Sequence, residues 1–407
     1  MKKEQLEIVF ISPGWPLQKY ANGIVTYIDT LYKALHGKAR VSIVALDANS
    51  VATENNIYLA GNRKKNLLER IVTKVLHFVP KSVTTTFNYK YSRYLTTKKM
   101  DNVLLQLSDH PDIIEVEESF GLPISLKAVT SAKVITRIHG PWFIHGPIMN
   151  AASDKKYKIR VEAEGHGLAV SDGITAPCYD VLNKVRQYYD LPLENAVVIP
   201  NAVHPVAEHA QWQYSSQNQT ILFVGRFDLH KGGDIALNVF NLIAASNNTV
   251  EFYFIGPDRG LTINDEAYNL QDYLAEFISD EDVRKRIHVT GQLDAATVQQ
   301  YRSKATVTIV TSRYENFPLS LLEALSTGSP IIASRTGGIP EIIEDGFNGF
   351  LVGDGDVEMF SKIALELLEK PEQLNQISKN AIKDAHLKYS PDVVAAKTLD
   401  YYQTILD

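Results

Sequence analysis

Short apolar runs rich in β-branched residues alternate along this chain with longer stretches whose apolar positions recur every three or four residues. In the first half the strand-like runs are Glu7–Ser12, Arg40–Ala45, Ile113–Glu117, Lys133–Ile138, Gly167–Val170 and Val197–Ile199. In the second half they are Thr220–Val224, Glu251–Ile255, Ile287–Thr290, Val307–Val310, Ile331–Ala333 and Gly349–Val352. Strands that are apolar throughout need cover on both faces, which helices alternating with parallel strands supply. The pattern breaks over the polar stretch His204–Gln219 and then restarts. Asn201–Gln219 therefore reads as a connection between two doubly wound α/β domains. Near the end, Asp392–Ile405 carries Val393, Val394, Ala396, Leu399, Tyr402 and Ile405 at helical spacing.

Length agrees: 407 residues exceed one ordinary core and suit two domains of roughly 200 each. The lone Cys178 excludes an intramolecular disulfide and suits a reducing compartment. Leu6–Ile11 follows Lys2 and Lys3 but is interrupted by Glu7 and stopped by Pro13, so it is too short for the apolar region of a signal peptide. No run approaches the roughly 18–20 apolar residues of a membrane span, and a cytoplasmic protein is expected. A net charge of −6 gives no general pull toward nucleic acid. That average hides ten Lys/Arg against one acid, Glu69, between Gly61 and Met100. Within this region Leu67–Val79 reads as a basic amphipathic helix, suited either to an anionic membrane face or to packing on its own domain with a solvated basic side.

Ligands of doubly wound sheets bind in the crevice at the carboxyl ends of the strands, so the expected site is a cleft between the two domains. No Gly-x-Gly-x-x-Gly follows the first strand of either half, which disfavours a hydride-transfer enzyme. Instead, Gly225–Gly233 places Arg226 and Lys231 between the strand ending at Val224 and a helix opening near Gly233. Two cations at a strand-to-helix junction suit a diphosphate. The run Ser312–Ala324 follows another strand and holds Glu315 just before a helix and Glu323 inside it, with Pro318 expected at the first helical position. Helical rise over eight residues separates these carboxylates by roughly 12 Å, too far for a glycosidase acid pair. That spacing suits two acids holding hydroxyls at different points on one elongated ligand. No Asp-x-Asp follows an apolar strand and no His/Cys cluster has metal spacing, so neither a metal nor another cofactor is expected.

Glu315 and Glu323 with seven residues between them, Gly225-Arg226…Lys231-Gly232 before and Gly337-Gly338-Ile339-Pro340-Glu341 after, resemble the GT-B glycosyltransferases of family 4. The likeness runs through Val197–Val352, includes Pro200-Asn201 and Gly346–Val352, and is looser in the first half. It implies two Rossmann-like domains: residues 1–200 on the acceptor side, with a terminal helix of about 388–407 returning to them, and residues 201–387 binding the donor. A hinge near Asn201 would close them. The resemblance also implies roles. Arg226 and Lys231 neutralise the donor diphosphate; Glu315 contacts the donor sugar and Glu323 the ribose; Gln292 and Leu293 meet the base. Asn316, Phe317, Pro318, Leu319 and Ser320 line the donor, and the amides at the helix start receive phosphate. His139, in His139-Gly140-Pro141, stands beside the reacting sugar and Gly23 near the β-phosphate, although Asn22 replaces the usual paired glycine there. The strand-end acids Glu115, Glu117 and Glu118 read as ordinary more readily than as groups orienting acceptor hydroxyls.

The activity so implied is retaining, metal-independent transfer of a hexose, glucose first, from a UDP-sugar to a glycan or lipid-linked acceptor in cell-envelope polysaccharide synthesis, at the inner membrane face. A sugar-nucleotide epimerase and a non-catalytic nucleotide-sugar binder are the alternatives.

Overall fold

The computed structural model describes residues 5–20, 22–61, 81–107, 110–149, 151, 154–216 and 219–407. The basic segment Leu67–Val79 lies outside the described residues. The chain divides into two compact units, Met1–Pro200 with Val394–Asp407, and Asn201–Val393.

Unit 1 is a seven-stranded parallel sheet built from β1 (Glu7–Ser12), β2 (Arg40–Ala45), β3 (Ile57–Leu59), β4 (Ile113–Glu117), β5 (Lys133–Arg137), β6 (Gly173–Ala176) and β7 (Ala196–Val198), in the order β3-β2-β1-β4-β5-β6-β7. Its helices are α1 (Gly23–Leu35), α2 (Lys81–Leu104), α3 (Leu122–Lys127), α4 (Trp142–Ile148), α5 (Lys155–Val170) and α6 (Tyr179–Tyr189). Ile8, Val9, Phe10 and Ile11 are all buried, as a central strand covered on both faces requires.

One expected strand is absent. Gly167–Val170 forms the last turn of α5, and the chain enters the sheet only at Gly173. Gly167 sits where a Cβ would lie 3.3 Å from both Gly121 and Pro123, so the small residues serve close helix packing. The short β3 was not anticipated, because only three residues pair and their burial is partial.

The returning segment of unit 1 belongs to the terminal helix (Pro391–Leu406), which delivers Tyr402 fully buried against the sheet. Its hydroxyl donates to Glu115 Oε2 at 2.7 Å, while Tyr27 donates to Oε1 at 2.9 Å. A buried carboxylate with two hydroxyl donors is satisfied rather than orphaned, and burial still pushes the Glu115 pKa up.

Unit 2 is a six-stranded parallel sheet of β8 (Thr220–Val224), β9 (Glu251–Ile255), β12 (Ile287–Gly291), β13 (Val307–Val310), β14 (Ile331–Ser334) and β15 (Phe350–Val352), ordered β12-β9-β8-β13-β14-β15. Its helices are α7 (Gly233–Ser246), α8 (Leu270–Phe277), α9 (Glu281–Lys285), α10 (Ala295–Lys304), α11 (Leu319–Thr327), α12 (Val357–Leu368) and α13 (Pro371–Tyr389), followed by the terminal α14 already described. An aromatic core of Phe223, Phe227, Phe240, Phe252, Phe254 and Tyr273 packs under α7, with Phe240 and Phe252 stacked at 5.0 Å. A small antiparallel hairpin, β10 (Leu261–Ile263) and β11 (Glu266–Tyr268), was not foreseen. Asn264 and Asp265 turn it with φ of 49° and 66°, the left-handed pair that a two-residue hairpin favours.

Strand order reverses between β1 and β4 in unit 1 and between β8 and β13 in unit 2. The loops after β8 and β13 leave the sheet at that switch point, where such folds bind ligands. Among the described residues no helix is long and apolar enough to cross a membrane.

Candidate functional site

The two switch-point loops of unit 2 are fastened to each other. Gly232 has φ +67°, and a Cβ there would lie 1.9 Å from the Thr311 carbonyl oxygen. The Thr311 hydroxyl donates to the Gly232 carbonyl at 2.8 Å, and the Arg313 amide donates to the His230 carbonyl at 3.0 Å. The Arg313 guanidinium grips Asp234, in the first turn of α7, through two bonds of 2.8 and 2.7 Å. Backbone and side chain together make one surface from segments about eighty residues apart in sequence.

On that surface Lys231 Nζ meets Glu315 Oε1 at 2.5 Å, and the Ser312 hydroxyl donates to the same oxygen at 2.9 Å. Glu315 is buried. Burial works to raise its pKa, but the charges of Lys231 and His230 and the bonds from Lys231 and Ser312 hold the carboxyl below its usual value. Arg226 is about half exposed and pairs with Asp228 Oδ2 at 2.6 Å. Asp228 Oδ1 accepts the Lys231 backbone amide at 2.7 Å. Asp228 thus orders both cations, a role the sequence reading missed. An Asp three residues before a key Lys, in a turn, is the signal that could have revealed it.

The structure shifts two details of the following helix. Pro318 is extended (φ −71°, ψ 121°) and caps α11, so Leu319 is the first helical residue, one position later than expected. Glu315 lies outside the helix, so helical rise does not set its distance from Glu323. No side chain caps α11 at Pro318, whose carbonyl accepts the Leu321 and Leu322 amides, and the amides of Leu319 and Ser320 come too early for a carbonyl within the helix, as at any helix start. They point a partial positive charge outward.

Glu323 has a cationic partner that local spacing did not reveal. Arg302 of α10, buried in its side chain, reaches Glu323 Oε2 at 2.7 Å. Asn316 and Phe317 are buried. The Phe317 ring packs edge-on against Tyr389 at 5.8 Å, and its carbonyl accepts from Asn201 Nδ2 at 3.0 Å, so this residue is engaged in packing and backbone support. Gln292 and Leu293 follow the edge strand β12, two strands from β8. Gln292 is exposed and Leu293 half-buried against Leu222, Ile255, Val298 and Ala305.

In unit 1, Gly23 opens α1 and Asn22 caps it, its side chain accepting the Val25 amide at 2.9 Å. The departure from paired glycine therefore has a local use. His139 follows β5 and packs edge-on against Tyr27 at 5.0 Å, and Arg137 lies over the same ring at 4.6 Å. Burial, then the Arg137 charge, pushes the His139 pKa well down, so the imidazole is neutral at pH 7.

Of the strand-end acids, Glu115 is held by the two tyrosines and Glu118 by backbone amides. Glu117 is pushed up to about 7, chiefly by burial, with Glu118 adding to the rise. A carboxyl raised this way destabilises the fold as pH climbs from its unfolded value near 4.5 to about 7, and the cost is constant above that. Glu117→Gln should therefore melt with wild type near pH 4.5 and above it at pH 8, by up to roughly 3 kcal/mol of stability. Equal melting temperatures at both pH values would refute the shift. Among the described residues no group of three or more His, Cys, Asp or Glu stands close enough to hold a metal ion.

Two doubly wound parallel units, the second with paired cations and a free helix start at its switch point, define the GT-B class of fold. Sucrose-phosphate synthase from Thermosynechococcus elongatus superposes with a TM-score of 0.74 at 17% identity, covering 98% of this chain and 99% of that one. HepE of Anabaena, in complex with UDP-glucose, superposes at 0.64 with 16% identity over 97% and 100%. Residues 207–384 match the model of the glycosyl transferases group 1, and residues 21–206 that of glycosyltransferase family 4. Both halves of the chain are thus matched by glycosyltransferase models, and the group 1 match lies in the second half. A curated relative, the D-inositol 3-phosphate glycosyltransferase of Segniliparus rotundus, is 26% identical over 258 residues, 61% of this chain. The match spans 55% of that relative, just over half its length.

Proposed function

We propose that this protein is a retaining, metal-independent hexosyltransferase that uses a UDP-sugar, UDP-glucose first, as donor. The observation that carries the reading is the Lys231–Glu315 pair, with Arg226 beside it, at the loops after β8 and β13. As the bond from the anomeric carbon to the diphosphate breaks, negative charge grows on the departing β-phosphate. Arg226, Lys231 and the start of α11 offset it with fixed positive charge and need no reorganisation. A fixed cation pair supplies the charge that a divalent ion supplies elsewhere, which is the basis for proposing metal independence. Glu315 binds donor-sugar hydroxyls through the carboxylate that Lys231 holds ionised, and Glu323, oriented by Arg302, binds the ribose. His139 offers a neutral imidazole to the transferred sugar. The choice of UDP-glucose leans on HepE, whose structure holds that donor. Retention follows the family resemblance. For the acceptor we propose a glycan or a lipid-linked precursor of cell-envelope polysaccharide at the inner membrane face, on the strength of the basic composition of residues 61–100.

The test is thermal melting with a panel of nucleotide diphosphates and their sugars, each with and without a chelator. A ligand at a hundred times its Kd adds roughly 2.7 kcal/mol. The expected result is a clear shift with UDP and UDP-glucose, unchanged by chelator, together with release of UDP from UDP-glucose. A shift that needs magnesium or manganese overturns metal independence. Binding without any turnover favours a nucleotide-sugar binder, and no shift with any nucleotide removes the donor assignment.

A further inference from the structure

The turn that carries His139 is held in an unusual way. From His139, two residues beyond the end of β5, the turn runs through Gly140 and Pro141 to Trp142, the first residue of α4. Proline has no N–H, so this turn has three backbone donors, and buried carboxylates take all of them. Glu118 Oε2 accepts the His139 amide at 3.0 Å and Glu118 Oε1 the Gly140 amide at 2.6 Å. Glu164 Oε2 accepts the Trp142 amide at 2.7 Å. Glu118 is 1% exposed and Glu164 fully buried. They come from separate places, the residue just after β4 and the middle of α5.

Burying two carboxylates is costly, and neutral acceptors would satisfy the same amides more cheaply. The structure invests further in keeping them in place. Arg160 binds Glu164 Oε1 at 2.8 Å through Nε. Its guanidinium lies between two rings, 3.9 Å from that of Trp142 and 4.2 Å from that of Phe120. Phe120 has a left-handed backbone (φ 57°), which a bulky side chain adopts only under compulsion from its surroundings. The Tyr89 hydroxyl donates to the Phe120 carbonyl at 2.6 Å and fixes that conformation. The chain of contacts ends at the turn, with the His139 ring set against Tyr27.

We infer that Glu118 and Glu164 are positioning residues that clamp the His139–Trp142 turn and fix the place of His139 for sugar transfer. This inference rests on the proposed transferase reading. Glu118 uses both oxygens, so glutamine cannot replace it without presenting an amide N–H to a backbone N–H. Aspartate keeps the charge but is one methylene short.

The experiment measures UDP release from UDP-glucose, with water as acceptor, for wild type, Glu118→Gln, His139→Ala and the double variant. A displaced turn should cost roughly 10²-fold in kcat while the donor KM is kept. Because the clamp acts through His139, the double variant should be no slower than His139→Ala within about threefold. A carboxylate that only stabilises the fold would give multiplying losses, or a lower melting temperature with wild-type kcat. Either result overturns the proposal, as does a His139→Ala variant of wild-type rate. If Glu118→Gln does not melt cooperatively, Glu164→Gln takes its place, with the same comparisons made through Trp142. Rescue of most of the rate by Glu118→Asp would support the charge-specific clamp. The underlying reading fails separately, when wild type releases no nucleotide from any sugar donor that shifts its melting temperature.

Discussion

Lys231→Ala should lower kcat/KM by roughly 10²–10³-fold and lower the melting temperature, whereas Arg226→Ala should lose activity alone. The contrast comes from what each cation leaves behind. Arg226 is about half exposed and its partner Asp228 still accepts the Lys231 amide, so removing the guanidinium strands no buried charge. Lys231 is paired with a carboxylate whose side chain is 10% exposed. Without it, Glu315 keeps the Ser312 hydroxyl but loses the charge that outweighs burial. A penalty of about 1–3 kcal/mol follows. Its pH dependence has a definite sign. In wild type the lowered Glu315 pKa contributes stability above its unfolded value of 4.5 that is lost as pH falls. In the variant burial dominates, the pKa rises, and the fold weakens as pH climbs. The gap in melting temperature should therefore widen from pH 4 to pH 7. Adding Glu315→Gln to Lys231→Ala should restore stability but not activity. Equal melting of Lys231→Ala and wild type at pH 7 would show that the pair does not hold the loop.

The second large effect is expected at Gly337, where alanine should abolish donor-induced stabilisation and cost about 2 kcal/mol or more. Gly337 has φ +54°, and a Cβ would fall 2.0 Å from the Glu315 carbonyl oxygen, which already accepts the Gly338 amide at 2.9 Å. Relief requires moving the backbone of the residue that holds Lys231. Gly346 supplies the control: its φ is +77° but nothing lies within 4 Å, so Gly346→Ala should show only the left-handed penalty of roughly 1–2 kcal/mol. Urea midpoints and the melting shift with UDP read both effects. Comparable losses for the two variants, with donor binding kept in both, would mean that the contact with Glu315 yields easily.

How far the sequence could be read depended on whether the signal was local. Glu251–Ile255 and Val307–Val310 were legible because a strand covered on both faces is apolar throughout. Gly167–Val170 misled because a helix end packing tightly on a neighbour uses the same small and apolar residues. The hairpin at Leu261–Tyr268 was missed because exposed pairs such as Thr262 and Ala267 carry no burial pattern. In the site, motif spacing identified Lys231 and Glu315 as residues of interest. Their ion pair joins positions 84 residues apart, which periodicity along the chain does not encode. Arg302 was invisible for the same reason: it reaches Glu323 from another helix, whereas spacing along one helix reports only partners about one turn away. Glu118 was read as an ordinary strand-end acid because its partners are backbone amides, which every residue type supplies.

Tyr402 also bears on the order in which the polypeptide is made. Domains ordinarily fold one after another as the ribosome releases them, N-terminal first. Here the hydroxyl that completes the Glu115 site in unit 1 is synthesised only after the whole of unit 2. The nascent N-terminal half must wait with Glu115 lacking one of its two donors while the C-terminal half already has all of its strands. The earlier-made half is the later to finish, and a chain halted during translation of unit 2 would leave a buried acid short of a partner at the centre of its sheet.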